Sequence, residues 1–228
     1  MILKEIAYFH SPFTSKFGVP KQSGLVDELE GTIEFASEFR NKDMLRGIED
    51  FDYLWIIWQF SANPHAATSP LGRPPLLGGN EKVGVFASRS PFRPNAMGLS
   101  SVRLSRVDYT AEGGPLLYVR GADLMDGTPI FDIKPYIPYA DCHPDALSGF
   151  APDSGAQLRV ECPDELMRVV PADKRAALTG VLANDPRPRY QNDPDRAYAM
   201  DFAGLNVEFT VSGEVLTVKN ISDRREDK

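Results

Sequence analysis

Residues 51–60 read FDYLWIIWQF, and the part from residue 54 onward is the longest apolar run in the chain. A run of this length predicts one fully buried β-strand. Shorter segments on both sides alternate between apolar and polar residues, as in residues 31–35, and glycine and proline separate them. Many short strands joined by such turns favour a β-barrel over a parallel α/β sheet.

Two local features interrupt the strand pattern of this region. Val102, Leu104 and Val107 are apolar with one slip of register, which predicts a β-bulge. A helix is predicted over residues 41–51, with Asn41 as its N-cap and apolar residues at helical spacing after it.

The strand pattern ends in a proline-rich and polar stretch, residues 143–155, which predicts a domain boundary. Residues 1–143 would then form the β-barrel and residues 156–228 a small α+β domain. In the second part, residues 172–183 predict a short helix, and the alternating runs of residues 198–218 predict a β-meander. The expected fold is mainly β, with an N-terminal barrel and a small α+β C-terminal domain.

The composition, with 42% hydrophobic and 25% charged residues in 228, is that of a globular protein. No apolar run is long enough to span a bilayer, and the N-terminus shows no secretory signal. The two cysteines and three histidines have no metal-ligand spacing. We therefore expect a reduced, metal-free, cytoplasmic protein.

The charge is distributed unevenly along the chain. The formal net charge is −7, yet residues 61–106 contain six basic residues and one acidic residue, a local charge of +5. A basic patch on an acidic protein favours one specific polyanionic ligand over nonspecific coating of nucleic acid.

The motif richest in glycine, proline and arginine lies inside this patch, at residues 84–98, and reads GVFASRSPFRPNAMG. Arg89 and Arg93 stand four apart with prolines between and after them, so both should project from an ordered loop. Such a pair suits a phosphate or a carboxylate, and the alternative is a pair of solvated or ion-paired surface arginines. Phe92 between them would stack on a base or pack within the loop.

A second constellation contains Asp123, Asp126 and Asp132, followed by Lys134 and Tyr136. One carboxylate could hold a ribose or an amine and another could act as a general base. The alternative is that the aspartates only form turns, because Asp-Gly-Thr-Pro is a turn by composition. The residues alone leave both interpretations open.

The third motif, residues 185–190, reads DPRPRY. Arg187 and Arg189, held by prolines beside Tyr190, suit phosphate and base contacts, whereas a rigid linker with solvated arginines is the alternative. The chain has no G-x-S-x-G elbow, no G-x-G-x-x-G fingerprint and no P-loop. A serine hydrolase, a Rossmann nucleotide site and a P-loop site are therefore unsupported.

Taken in order, these motifs resemble those of the TrmO (TsaA/YaeB-like) family of tRNA methyltransferases. The residues that carry the resemblance are RPPLLGG at 73–79, the motif at 84–98, DGTPIFDIKPY at 126–136 and DPRPRY at 185–190. The match covers nearly the whole chain, because the last motif belongs to the C-terminal domain of the longer, bacterial-type members.

The resemblance implies a dimeric β-barrel that binds S-adenosylmethionine without a Rossmann fold. It also implies methyl transfer to N6 of threonylcarbamoyl-adenosine at position 37 of particular tRNAs, with the anticodon stem-loop as the contact region. Carried over by motif, the cofactor contacts are Pro20, Lys21, Gln22, Arg89, Leu99, Asp123, Leu124, Met125 and Asp126. Asp126 and Asn95 are assigned to catalysis, and the substrate contacts are Phe92, Arg93, Lys134, Tyr136, Arg187, Arg189 and Tyr190.

The chain departs from the family pattern at three places. Lys21 stands where arginine is more usual, Ala96-Met97 replaces a common Pro-Ile, and Ser61-Ala62 stands where some members have His-Gln. The last change predicts the loss of one side-chain contact to the cofactor. Two alternative functions are a non-catalytic RNA-binding module and an S-adenosylmethionine-dependent transferase with a different acceptor.

Overall fold

The computed structural model describes residues 2–63, 69–78, 80–151, 155–188, 191 and 193–224. The strands are β1 (Ala7–His10), β2 (Glu30–Phe35), β3 (Tyr53–Gln59), β4 (Leu71–Gly72), β5 (Val83–Gly84), β6 (Met97–Asp108), β7 (Leu116–Arg120), β8 (Thr128–Pro135), β9 (Arg159–Glu161), β10 (Tyr198–Phe202), β11 (Leu205–Ser212) and β12 (Val215–Asp223). The α-helices are α1 (Pro138–Asp141), α2 (Asp164–Val169) and α3 (Arg175–Ala183).

Six strands close into an antiparallel barrel in the order β1-β2-β7-β6-β3-β8, which confirms the predicted barrel. Its interior is filled by apolar side chains from alternate positions, among them Phe9, Ile33, Leu54, Ile56 and Ile130. Inward and outward positions alternate along a barrel strand because its side chains alternate between the two faces. The prediction of a fully buried strand at residues 51–60 is therefore wrong, since β3 buries only every second residue.

The predicted bulge is present in β6, whose pairing with β7 shifts register between Leu104 and Arg106. The predicted helix over residues 41–51 is wrong. Two short 3₁₀ turns, Lys42–Leu45 and Ile48–Asp50, replace it, and Gly47 between them has a left-handed φ of 85° that no α-helix tolerates. The predicted cap is correct, because the side chain of Asn41 accepts a hydrogen bond from the backbone N–H of Asp43.

The two-residue strands β4 and β5 pair with each other outside the barrel. Val83 and Gly84 therefore do not belong to a barrel strand. A 3₁₀ turn at Val85–Ala87 follows at once and carries the chain into the loop of the 84–98 motif.

The C-terminal part is a four-stranded sheet in the order β10-β11-β12-β9. The predicted meander of β10, β11 and β12 is confirmed, as is the helix, which begins with a 3₁₀ turn at Ala172–Lys174 and continues as α3. The sequence did not predict α2 or β9, and β9 pairs in parallel with β12. A second hydrophobic core lies between this sheet and α3, separate from the barrel core.

The segment between β1 and β2, residues 11–29, is here named the strap. It contributes Phe13, Val26 and Leu29 to the C-terminal core, although it is joined at both ends to barrel strands. Its backbone is tied to both units, because Ala203 donates to the carbonyl of Pro12 at 2.8 Å and Gly24 donates to that of Gly121 at 2.8 Å. The strap therefore lies between the two cores. The division of the chain at residues 143 and 156 stays a prediction.

Candidate active site

One end of the barrel collects most of the loops that carry the predicted site. The register places the end of β3 beside the start of β6, because Gln59 pairs with Met97, and it places Phe9 of β1 beside Thr128 at the start of β8. The chain leaving β7 passes through residues 121–127 at this same end. Strap residues and the 84–98 motif meet it there.

A hydrogen-bonded chain of three side chains begins inside this end of the barrel. The indole Nε1 of Trp58 donates to Ser100 Oγ at 2.9 Å, and Ser100 Oγ donates to Asp123 Oδ1 at 2.5 Å. Trp58 and Ser100 are both buried. A Cβ on Gly98 would lie 2.3 Å from the Trp58 ring, so the last glycine of the 84–98 motif makes room for the indole. The motif thus supports a carboxylate 25 residues further along the chain.

The carboxyl group of Asp123 is partly buried, and its surroundings shift its pKa in both directions. Burial raises its pKa above the ordinary value for aspartate. The hydrogen bond from Ser100, a backbone hydrogen bond from Ser23 and the nearby charge of Arg89 act in the other direction but do not cancel the effect. Asp123 is therefore a carboxyl group with perturbed proton affinity in an accessible loop, which is a common property of functional groups.

The strap, which contains the predicted residues Pro20, Lys21 and Gln22, approaches this carboxyl group through Ser23 and Gln22. The Oε1 of Gln22 accepts a hydrogen bond from Nη1 of Arg89, and Gln22 Nε2 donates to the carbonyl of Lys21 at 2.6 Å. Arg89 is exposed, as the anion-site prediction requires. The structure thus unites the strap, the 84–98 motif and Asp123.

The strap can approach this closely because of one glycine. Gly121 has a φ of 73°, and a Cβ there would lie 3.4 Å from both Cα and N of Gly24. Only glycine combines a left-handed φ with such a close approach at low cost. The strap is therefore held directly against the chain that leads to Asp123.

Asp126 lies on the same loop but is exposed and has different partners. Its Oδ1 accepts a hydrogen bond from the backbone N–H of Ser11 at 3.1 Å and lies 3.3 Å from Nδ1 of His10. Nε2 of the same histidine lies 3.2 Å from Glu34 Oε2. Sequence reasoning missed His10, because it stands more than 100 residues from Asp126 and only closure of β1 onto β8 brings the two together.

Three further predicted cofactor residues are placed less favourably. Leu124 is buried in the barrel core, so only its backbone can face a ligand. The carbonyl of Met125 accepts a hydrogen bond from Thr128 Oγ1 at 2.7 Å within the turn. Leu99 is 59% exposed and lies on the opposite face of β6 from Ser100, so the structure does not bring its side chain to Asp123.

The 84–98 loop is partly organised by its own arginine. Nη1 of Arg93 donates to the carbonyl of Ser88 at 2.7 Å, so this guanidinium stabilises the loop. The Arg93 side chain lies at the edge of the loop and is partly exposed there. Phe92 is 55% exposed. Asn95 is exposed in the following turn, and no hydrogen bond joins it to Asp126 within the part of the chain that the structure describes.

Two predicted substrate residues lie away from this end of the barrel. Lys134 lies at the far end of β8, on the order of 20 Å along the strand from Thr128, and Tyr136 directly follows the strand. Lys134 is ion-paired with Asp132 at 2.8 Å, and the Tyr136 ring lies 5.5 Å from that of Trp55. They form part of the outer barrel wall, not of the cluster around Asp123.

Arg187 requires a correction. Its residue exposure is only 7%, and its Nε and Nη2 donate to the two carboxylate oxygens of Asp185 at 2.9 and 3.0 Å. A guanidinium that is buried and already paired is not presented to a phosphate, and neither is it the solvated linker arginine of the alternative interpretation. Arg189 and Tyr190 lie outside the described residues.

Comparison with known proteins agrees with this architecture. The family model described as the tRNA-methyltransferase O N-terminal domain matches residues 8–142, and the one described as the TrmO C-terminal domain matches residues 155–224. The chain belongs to the tRNA-methyltransferase O family. The family resemblance inferred from the sequence motifs is thereby confirmed.

Relatives and solved structures in this family cover between 71% and 97% of the chain. A tRNA (adenine(37)-N6)-methyltransferase of Escherichia coli K12 is 37% identical over 218 residues, which cover 92% of each chain. A protein of the same name from Eikenella corrodens is 45% identical over 162 residues, 71% of this chain and 91% of its own. A crystal structure of TrmO from Pseudomonas aeruginosa has a TM-score of 0.81 at 30% identity and covers 97% of each chain.

The residues around Asp123 suit a cofactor such as S-adenosylmethionine, which has a carboxylate, an ammonium group and ribose hydroxyls. Arg89 offers an exposed guanidinium for the carboxylate, and Asp123 and Asp126 offer carboxylates for the hydroxyls or the ammonium. Within the described residues, no group of three or more histidine, cysteine, aspartate or glutamate side chains is arranged to hold a metal ion. None of the helices described is both long and apolar enough to cross a membrane.

Proposed function

We propose that this chain is an S-adenosylmethionine-dependent methyltransferase that acts on N6 of threonylcarbamoyl-adenosine at position 37 of specific tRNAs. The observation that carries the proposal is the convergence of Arg89, Gln22 and Asp123, three segments distant in sequence, at one end of a barrel of the tRNA-methyltransferase O family. The names of the relatives support methylation at N6 of the adenine at position 37 of tRNA.

S-adenosylmethionine, when bound, supplies an electrophilic methyl group on a sulfonium sulfur. The task of the protein is to hold the acceptor nitrogen in line with that methyl group and to exclude water. Arg89, Asp123 and the strap residues Pro20, Lys21 and Gln22 bind and orient the cofactor.

Asp126 faces the acceptor side in this proposal and is oriented by His10 and by the N–H of Ser11. The carbonyl substituent on N6 makes the proton of that nitrogen more acidic than in plain adenosine. A strong base is then unnecessary, and positioning carries most of the rate.

The proposal extends to assembly and compartment. Phe86 is 81% exposed and Leu99 59% exposed, and apolar side chains of this size suit burial against a second copy of the chain in a homodimer. Light scattering should then give twice the mass of one chain. Unpaired Cys142 and Cys162 suit the reducing cytoplasm, where we place the protein.

The decisive experiment incubates the protein with S-adenosylmethionine and a tRNA carrying threonylcarbamoyl-adenosine at position 37, followed by mass spectrometry of the nucleosides. One added methyl group on N6 is expected. A matched tRNA with unmodified adenosine at that position is the control, and equal methylation of both would contradict the proposed acceptor.

Cofactor binding without methylation of either tRNA would favour a different acceptor. Absence of cofactor binding by calorimetry would favour the RNA-binding module.

Arg89→Gln tests the cofactor site. Loss of a charge-assisted hydrogen bond to a carboxylate should weaken S-adenosylmethionine binding on the order of 10- to 100-fold, as measured by calorimetry. Arg46→Gln is the matched control, since Arg46 is exposed and paired with Asp43. Equal affinity in the two variants would remove Arg89 from the site.

Asp126→Asn tests the positioning mechanism. If Asp126 orients ligands and does not act as an essential base, the variant should retain measurable turnover, with part of the loss appearing in the affinity for cofactor or tRNA. Steady-state kinetics together with binding measurements separate these effects. Abolished turnover at unchanged affinity for both ligands would count against positioning as the main contribution.

A further inference from the structure

Asp185 lies two residues after the end of helix α3 and adopts a left-handed backbone with a φ of 50°. This conformation is unfavourable for residues other than glycine, although aspartate tolerates it better than most. Arg187 holds the residue in place through the two side-chain hydrogen bonds described above and through its backbone N–H, which donates to Asp185 Oδ1 at 3.2 Å. The turn after α3 is thus stabilised by a bidentate ion pair.

The electrostatics of this pair favour its charged form. Burial by itself would raise the pKa of Asp185, but the hydrogen bonds and charge of Arg187, with a smaller contribution from Lys21, hold the pKa below its ordinary value. Arg187 is buried and Asp185 is partly exposed, so removal of Asp185 would leave a buried guanidinium charged and unpaired, which is unfavourable.

The backbone carbonyl of Asp185 then meets the strap. Nζ of Lys21 donates to this oxygen at 2.8 Å, and close by, Asn184 Nδ2 donates to the carbonyl of Leu25 at 3.2 Å. The direction of the Asp185 carbonyl depends on the left-handed conformation that Arg187 maintains. The turn after α3 therefore fixes the strap at the residues assigned to the cofactor.

From Lys21 the contacts continue to the centre of the candidate site. The carbonyl of Lys21 accepts from Gln22, Gln22 accepts from Arg89, and the charge of Arg89 acts on Asp123. Three hydrogen bonds and one charge interaction thus link the C-terminal unit to the carboxyl group at the end of the barrel.

We propose that Asp185 and Arg187 are positioning residues for the cofactor site, which set the strap so that Gln22 and Arg89 converge at Asp123. The inference rests on the proposed function, since it assumes that these residues bind S-adenosylmethionine. It assigns Arg187 a role in cofactor binding across the two units and removes this residue from direct contact with tRNA phosphates.

The test uses the full-length chain with Arg187→Gln, and Arg168→Gln as the matched control, because Arg168 is an exposed arginine of the same unit. Arg187→Gln should raise the Kd and the KM for S-adenosylmethionine about 10-fold, while kcat at saturating cofactor stays near that of the parent protein. Its Kd for tRNA and the salt dependence of that Kd should match those of the control.

A double-mutant cycle shows whether Arg187 acts through the strap. If it does, Lys21→Met with Arg187→Gln binds the cofactor no more weakly than Lys21→Met alone, whereas independent structural damage makes the losses add. If Arg187→Gln fails to fold, Arg187→Lys replaces it, and an intermediate cofactor Kd is expected because one hydrogen bond to Asp185 can be kept.

Three results would overturn the inference and are distinguishable. Unchanged cofactor affinity with weaker tRNA binding and a salt slope reduced by about one would make Arg187 a phosphate ligand. Normal binding of both ligands by Arg187→Gln, with weakened cofactor binding by Lys21→Met, would overturn the positioning role alone. Normal cofactor binding by Lys21→Met and Arg89→Gln would overturn the proposed site and the inference together.

Discussion

At the scale of single residues, the site depends on buried residues that lie behind Asp123. Gly98 leaves the space in which the Trp58 indole lies, Trp58 donates to Ser100, and Ser100 donates to Asp123. The space left at Gly98 thus influences the position of the Asp123 carboxyl group, because two hydrogen bonds connect the Trp58 indole to it. This explains a glycine that loop geometry alone would not require.

Gly98→Ala should destabilise the protein by about 1–3 kcal/mol, because the new methyl group would meet the rigid indole at far less than contact distance. Urea denaturation followed by tryptophan fluorescence measures this. Gly84→Ala, in the same motif, is the control: a Cβ there has no neighbour within 4 Å and its φ is −58°. An unfolding midpoint of Gly98→Ala at or above that of Gly84→Ala would show that the indole does not occupy the space.

Asp123→Asn should change how stability depends on pH. The folded state raises the pKa of Asp123, so the folded protein binds this proton more tightly than the unfolded chain does. The resulting stability is fully present below the unfolded pKa of about 3.9 and is lost as pH rises through the folded pKa. Asp123→Asn has no carboxyl group at this position, so the variant does not lose this stability as the pH rises.

Free energies of unfolding of Asp123→Asn and the parent protein, measured by urea denaturation in steps upward from pH 4, check this. The variant should gain relative to the parent as pH rises. Parallel curves over that range would mean that the carboxyl group does not have a raised pKa.

At the scale of elements, the contact between α3 and the strap is unusually close. A Cβ on Gly180 would lie 2.8 Å from Cγ1 of Val26, so the helix presents its backbone to this valine. A glycine inside a helix is normally unfavourable. Here it allows the C-terminal core to include a residue of the strap.

Gly180→Ala should therefore destabilise the protein by about 1–3 kcal/mol, although the same change in an open helix stabilises by about 1 kcal/mol. In the Val26→Ala background, where the clashing methyl groups are gone, Gly180→Ala should become neutral or stabilising. Chemical denaturation of the two single variants and the double variant measures this reversal. Stabilisation by Gly180→Ala in the parent background would contradict the close packing.

An element could be predicted when the sequence pattern that marks it lies within the element itself. The alternation of β2 and β11 and the helical face of α3 are local, and all three were predicted. The helix over residues 41–51 was wrong because apolar spacing does not report the left-handed φ of Gly47. The three residues of β9 are ordered by parallel pairing with β12, a contact across more than 50 residues that no local pattern encodes.

At the scale of the whole molecule, the site also combines features that a local sequence pattern marks with features that it does not mark. The residue types of the site were predictable, because arginine, aspartate and glycine in ordered loops are typical of anion and cofactor binding. Their grouping was not: Lys134 was predicted with Asp126 but lies at the other end of β8, and His10 was not predicted but lies beside Asp126. Barrel closure decides both placements.

The apolar residues of the strap are synthesised long before the strands that cover them. Phe13, Val26 and Leu29 leave the ribosome early, yet the strands that cover them end near Ile221. At about 5–20 residues per second, Phe13 waits roughly 10–40 s for its last partners. During that interval these three apolar side chains lack the partners that bury them in the folded protein, and exposed apolar surface of this kind is prone to aggregation.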